Sequence, residues 1–478
     1  MNDGSLKYGV GAVLALSFIF LVYVAFSRPG YLTDIRLLGG LVFLQVLAAI
    51  VWNYRQGFFL ALILSFLWAG TSLPMQGVWS SGRWVVLAAG AGAGLLIYLR
   101  DDHHHFGVFH LVALGCVLTA TVSALVSDDT RVSVLKAASL FLLFLYGATG
   151  ARLAVVGREA KFFLGLLLGC EILVYFTGLA YFVVRSEIFG NRNSLGVAMG
   201  VVAWPILLWG VLVARRLSVR RRRTFALAIC LLLLLGSYAR AGIAAAAVSS
   251  ALLCIGLRRY RLLFKGVAVA LLGAILVAAF VPLEGGTDAD DTSLFSRFIY
   301  KGMPTMGVWG SRMPVWDRTM SSLHAHPWFG TGFGTSSAEY SQPETSASFA
   351  STANTRREHG SSYLAITEWV GLLGVVPFLI LLLLVGVNIN QAFTWMRRTG
   401  NPLSPAIPVA AFLAGGLVHA GFEDWLFAVG YHTCVFFWAL AFMLPDLLPA
   451  AVPQSTYRRF LRGSRPLEDN LGVVVSGH

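Results

Sequence analysis

Charge is what this sequence has least of. Only 12% of its 478 residues are charged, against about 25% in soluble domains. Acidic residues are scarcer still, 23 against 36 Lys and Arg. That deficit excludes an ordinary soluble fold. Cysteine is also rare: Cys116, Cys170, Cys230, Cys254 and Cys434 all lie in apolar runs. None has metal-ligand spacing, so they read as small packing residues with no disulfide framework.

What is abundant is apolar sequence. Hydrophobic residues make up 57% of the chain and the mean hydropathy is +0.72. The apolar runs repeat at about 17–25 residues, the length that crosses a hydrocarbon core. A backbone facing lipid must satisfy its own hydrogen bonds, so the expected fold is all-α, a polytopic transmembrane helical bundle of about 12–14 spans. The spans read as about 8–26, 36–53, 58–74, 83–99, 106–126, 133–151, 161–184, 193–213, 223–237, 240–257, 263–282, 362–388, 404–420 and 428–449. The first run lacks a small-residue cleavage pattern and reads as a span.

The excess positive charge, +13, is not spread for nucleic-acid binding. It sits in clusters between spans: Arg215, Arg216, Arg220–Arg223, then Arg258, Arg259, Arg261 and Lys265, then Arg397 and Arg398, and a tail with Arg458, Arg459, Arg462 and Arg465. This is a positive-inside pattern, which places both termini in the cytoplasm and the large polar loop, 283–361, outside. The chain then divides into N-terminal membrane helices (1–184), membrane helices bearing outer-face arginines (185–282), the external loop (283–361), C-terminal membrane helices (362–449) and a cytoplasmic tail (450–478). The apolar stretch 224–257 has basic flanks at both ends. One crossing would put a cluster outside, so two crossings are expected, turning near Arg240 among Gly and Ala residues that let the helix pair approach closely. An arginine at membrane depth costs about 2.5–3.5 kcal/mol, which marks Arg240 as a functional candidate.

Three outer elements hold most of the remaining polar residues. One is Phe189 to Gly196, with Arg192 and Asn193. The second is the Arg240 turn. The third is the loop, with Arg312, Trp316, Arg318, His324, His326, the glycines 330, 332 and 334, and then His359, Tyr363 and a helix start running to Gly374. Asp288, Asp290 and Asp291 have the spacing of a metal-binding D-x-D turn but also read as a plain acidic turn. His103–His105 falls on the cytoplasmic side. Glu423 and Asp424, at the last outer turn, are placed to hold an arginine or a sugar.

Taken in order, these motifs resemble the O-antigen ligase and polymerase superfamily of bacterial surface-polysaccharide enzymes. The elements are Asn191–Asn193 at an outer helix start, Arg240 in a small-residue turn, Arg312 with Trp316, His326 to Gly334, and His359 to Gly374. The resemblance covers about 185–390. The family spaces its histidine and aromatic by two residues; here three separate His359 from Tyr363. The resemblance implies a fold like GT-C glycosyltransferases and residence in a bacterial inner membrane. It implies a glycan on undecaprenyl pyrophosphate as donor, another glycan or a lipid A core as acceptor, and no metal or other cofactor. A protein hydroxyl is a further acceptor class in the superfamily. Arg240 and Arg312, with Arg192 third, would hold the pyrophosphate, because the guanidinium fork binds phosphate oxygens bidentately. His359 would take the acceptor's proton. Arg318, Asn193, His326 and Tyr363 complete the expected substrate contacts.

Plainer roles stand beside these. Arg312 and Arg318 could pair with Asp317 or Glu339, Arg192 could anchor at the lipid surface, and His326 could shape a turn before Pro327. The glycine run is better suited to close backbone packing than to a nucleotide, since no strand precedes it. The rival function is a multi-span transporter or lipid-linked oligosaccharide flippase, which would place charges deep in several spans, as Glu171 is.

Overall fold

The computed structural model describes residues 56–73, 76–99, 106–155, 157–280, 312–336, 359–399 and 402–448, besides a few isolated positions before Gln56. The first two expected spans, His103–His105, the Asp288–Asp291 turn, Glu339, most of the loop and the tail lie outside the described residues.

Every regular element among the described residues is a helix. We number them α1 (Gln56–Ala69), α2 (Gln76–Tyr98), α3 (Val108–Leu125), α4 (Thr130–Val155), α5 (Glu159–Val184), α6 (Arg192–Val213), α7 (Leu217–Gly236), α8 (Arg240–Gly256), α9 (Tyr260–Phe280), α10 (Met313–Ala325), α11 (Ser362–Thr399), α12 (Ala406–Ala420) and α13 (His432–Leu447). Six of the described helical segments are long and apolar enough to cross a membrane, within α2, α3, α4, α5, α6 and α11. The chain is a polytopic helical membrane protein.

Burial shows which helices form the centre. Almost every residue of α12 and α13 is buried, and α13 packs its rings against α3 and α4 through Phe109, Phe144, Trp438 and Phe442. By contrast α3 turns Leu111, Leu114, Leu118 and Val122 outward. In water such a stripe would be costly; against lipid it costs nothing. The five cysteines are buried and free, as packing residues should be.

Helix direction is fixed by contacts at the two ends. Arg152 Nε and Nη2 grip Asp446 side-on, at 2.6 and 2.8 Å, and Nη1 donates to the Tyr98 hydroxyl at 2.8 Å. Those three residues end α4, α13 and α2. The starts of the same helices carry Lys136, His432 and Arg83, which line one shared cavity. These three helices therefore run parallel, as the expected alternation of spans requires.

The Arg240 hairpin is present, with α7 and α8 joined by Ser237–Ala239. Its packing differs from expectation. The tightest contacts of the small residues are not between α7 and α8. A Cβ on Gly200 would strike the Gly242 carbonyl, and one on Gly196 would strike the Ala239 side chain. The close approach is thus between α6 and the start of α8, which sets Arg240 beside the helix that starts with Arg192 and Asn193. Arg220–Arg223 also differ from expectation: they are not a loop but lie on α7. Arg222 Nε (2.9 Å) and Arg223 Nε (3.4 Å) hold Glu171, which is 3% exposed. The carboxylate deep in α5 is thereby paired, the condition on which a buried charge is tolerated.

Candidate active site

The helix α11 is broken near its start. Gly371 has φ +70°, and the chain resumes as helix on either side. A break frees backbone groups that a membrane cannot solvate. Here the segment after α10 satisfies them. Thr331 and Gly332 donate to the carbonyls of Glu368 and Trp369 at 3.0 and 3.1 Å, while the Leu372 and Leu373 amides donate to Pro327 and Trp328 at 2.8 and 3.3 Å. This requires backbone against backbone. A Cβ on Gly330 would strike the Glu368 and Trp369 carbonyls, and one on Gly371 the Trp328 carbonyl. The glycine run is therefore close packing, and His326 caps α10 at its C-terminal end, with its carbonyl accepting from Gly330 at 3.2 Å.

That packing fixes His359 just before α11, not on its first turn. It is 2% exposed. Its Nδ1 lies 3.1 Å from Asp424 Oδ2, and its amide donates to the same oxygen at 3.1 Å. On the other edge, Nε2 is 3.3 Å from Ser336 Oγ and 3.4 Å from Glu368 Oε2. Glu368 is fully buried in α11 and its Oε1 accepts from Ser322 Oγ of α10 at 3.0 Å. Burial opposes a charge on His359, but hydrogen bonds and charge from Asp424 and Glu368 hold its pKa above the ordinary imidazole value. Burial likewise opposes ionised Asp424, and the bonds from His359 nevertheless hold its carboxyl below the usual range.

The neighbouring Glu423 does hold an arginine. Its Oε1 accepts from Arg312 Nη2 at 2.6 Å and from Asn193 Nδ2 at 3.1 Å. The loop carrying both acids is pinned by Ser362, whose hydroxyl donates to the Glu423 carbonyl (2.6 Å) and accepts from the Leu426 amide (3.0 Å). Arg312 and Trp316, one turn apart, close over Gly360, where a Cβ would lie 3.3 Å from both side chains. Gly360 has φ +67°, so the position suits glycine twice over. The carboxylate found against Arg312 is that of Glu423.

The remaining candidates divide. Arg240 starts α8, with the like charge of Arg312 in its field. Arg192 is exposed, 3.9 Å from Glu187 and 5.5 Å from the Tyr238 ring centre. Arg318 donates to the Pro314 carbonyl at 3.1 Å, His326 is exposed, and the Tyr363 hydroxyl donates to the Leu417 carbonyl at 2.6 Å. His359, Asn193, Glu423 and Asp424 line a cavity of about 930 Å³; Arg192, Arg240, Arg312, Arg318, His326 and Tyr363 are not among its lining residues.

Two cations in that wall escaped the sequence reading, Arg83 of α2 and Lys136 of α4. Lys136 donates to the Gly334 carbonyl and lies within the fields of Asp129 and Asp424. The signal was available: each is a basic residue near the start of an apolar run, the kind that membrane energetics flags. Glu368 stands inside the His359–Gly374 motif, but its pairing with His359 was not anticipated.

No curated protein matches the chain. Residues 225–379 match the O-antigen ligase family model, so the resemblance read from motif order is shown on the segment that carries Arg240, Arg312, Trp316 and His359.

Proposed function

We propose that this protein is a membrane glycosyltransferase that moves a glycan from undecaprenyl pyrophosphate to an acceptor hydroxyl at the outer face of a bacterial inner membrane. The family match supports a membrane ligase or polymerase role in glycan assembly. The single observation that carries the finer reading is His359, buried at the cavity wall with Nδ1 on Asp424. A carboxylate on Nδ1 fixes the tautomer, and Nε2, which faces Ser336 and Glu368, is the nitrogen that would take the acceptor's proton.

The step follows from that arrangement. The acceptor oxygen forms a bond to the anomeric carbon of the donor sugar. Its proton passes to Nε2 of His359. The bond between that carbon and the phosphate oxygen breaks, and undecaprenyl pyrophosphate leaves with the electron pair. Arg240 starts α8 and Arg312 lies just before α10, and a pyrophosphate between the two like charges would be held by both while they stabilise the leaving group. Arg192 is the third cation of this group. We assign the counter-charge to arginine and not to a metal, so activity should survive a chelator.

Purified protein in proteoliposomes, given a fluorescent undecaprenyl pyrophosphate-linked glycan and candidate acceptors, tests the reading. Release of undecaprenyl pyrophosphate with transfer of the glycan is expected. Movement of intact donor across the bilayer with no release would replace the enzyme with a flippase.

A further inference from the structure

Arg83 sits in the cavity wall with no carboxylate partner among the described residues. Its Nη1 donates to the Gly430 carbonyl at 2.7 Å, and its guanidinium carbon lies 5.0 Å from the Trp84 ring centre and 5.5 Å from that of Phe66. Its Nε is buried and makes no hydrogen bond among the described residues. Two residues beyond Gly430, His432 is 8% exposed, lines the same cavity, and has a buried Nε2 with no hydrogen-bond partner among the described residues.

An arginine anchored at the lipid surface would point outward, and Arg83 does not. The side chain is held inward by Gly430 and by two rings, and lines the cavity. With Nη1 committed, the Nε–Nη2 edge remains, and that edge matches a carboxylate side-on. One guanidinium and one imidazole in the same wall suit a single negative charge. A pyrophosphate carries more charge than that, and its proposed arginines lie on other elements: α6, α8 and the turn before α10. Trp84 and Tyr431 line the same wall; aromatic rings are surfaces on which sugars pack.

We propose that Arg83, with His432 in the same cavity wall, forms a subsite for the carboxylate of an acidic sugar on the acceptor glycan. The subsite rests on the reading of this cavity as the transferase site. It would set acceptor choice: a uronic-acid sugar would be favoured over its neutral counterpart, because leaving a buried donor unpaired is penalised. A neutral sugar would leave Arg83 without a carboxylate partner among the described residues.

The test is binding without turnover, using full-length protein in nanodiscs with no donor lipid. The probes are two tetrasaccharides that differ only in one residue, glucuronate or glucose, and inorganic pyrophosphate. Wild type should bind the glucuronate probe at least tenfold tighter. Arg83→Gln should remove that preference and leave pyrophosphate binding unchanged, and Arg83→Lys should retain part of it. Equal binding of both sugars by wild type would overturn the subsite, whatever the variants do. So would a loss of pyrophosphate binding in Arg83→Gln with sugar preference intact, which would assign Arg83 to the donor. Transfer assayed separately keeps the two readings apart. Sugar preference without transfer to any acceptor would sink the transferase and leave the subsite, and transfer without preference would do the reverse.

Discussion

One oxygen of Asp424 takes both the backbone amide and the ring Nδ1 of His359, each at 3.1 Å. The side chain and the backbone that carries it are thus fixed by the same acid. Glu368 stands 3.4 Å from the opposite nitrogen, so the imidazole lies between two carboxylates. This arrangement favours the charged ring, whereas a base must begin neutral.

The pH dependence follows. The His359 pKa is raised, despite burial, by Asp424 and Glu368. Transfer should therefore rise with pH through a value above that of an ordinary histidine, about 6.5. Glu368→Gln removes one source of the increase, so the acidic limb of kcat/KM should move to lower pH. Stability runs the other way. A raised histidine contributes fully below its unfolded pKa and loses that contribution as pH rises through the folded one. Asp424, depressed, contributes above about 3.9 and loses it as pH falls through its folded value. A pH profile of Glu368→Gln superimposable on wild type would remove Glu368 from the proton's environment. His359→Ala should bind donor normally and lose about 10²–10⁴-fold in rate.

Arg312 poses a sharper question, because Glu423 already holds it at 2.6 Å. If its task is the donor, Arg312→Ala should weaken donor binding by about 1.5–3 kcal/mol, roughly 10- to 150-fold. Arg312→Lys should restore only part, since a point charge lacks the fork. Glu423→Gln should leave donor binding intact or tighter, because it releases the guanidinium. Donor Kd by equilibrium binding decides. Equal losses in Arg312→Ala and Glu423→Gln would mean that the pair is a structural strut.

How far these contacts could be read from sequence depends on their range. The Arg240 turn was legible because basic residues flank both sides of 224–257. The convergence of Asn193, His359 and Asp424 was legible because span parity puts them on one side. The pairing of His359 with Asp424 joins positions 65 apart, and no local pattern specifies it. The break at Gly371 was hidden because the apolar run continues through it. Arg83 and Lys136 were overlooked because the N-terminal spans matched the family pattern only in hydrophobicity.

Membrane sidedness remains an expectation with a direct test. Reporter fusions at Arg220 and Arg259 should both register cytoplasm, and one at Ser346 should register the exterior. If the two basic clusters lay on opposite sides, α7 and α8 could not form the hairpin that carries Arg240. The proposed site would then have to be rebuilt from other residues.

The last expectation concerns the break in α11. Gly371 has φ +70° and lies where a side chain would strike the Trp328 carbonyl. Gly371→Ala therefore meets both backbone strain and a clash. The strain alone is worth about 1–3 kcal/mol. The clash falls on the same segment that satisfies the carbonyls of Glu368 and Trp369. Displacing that segment would disturb Glu368 and, through it, His359. The variant should thus lose thermal stability and lose transfer more than donor binding. Gly386→Ala in the same helix, where a Cβ meets nothing within 4 Å, is the control and should be close to wild type. Melting temperature, donor Kd and kcat measured on both variants separate the cases. A Gly371→Ala protein with wild-type melting and turnover would mean that the break in α11 does not hold the site together.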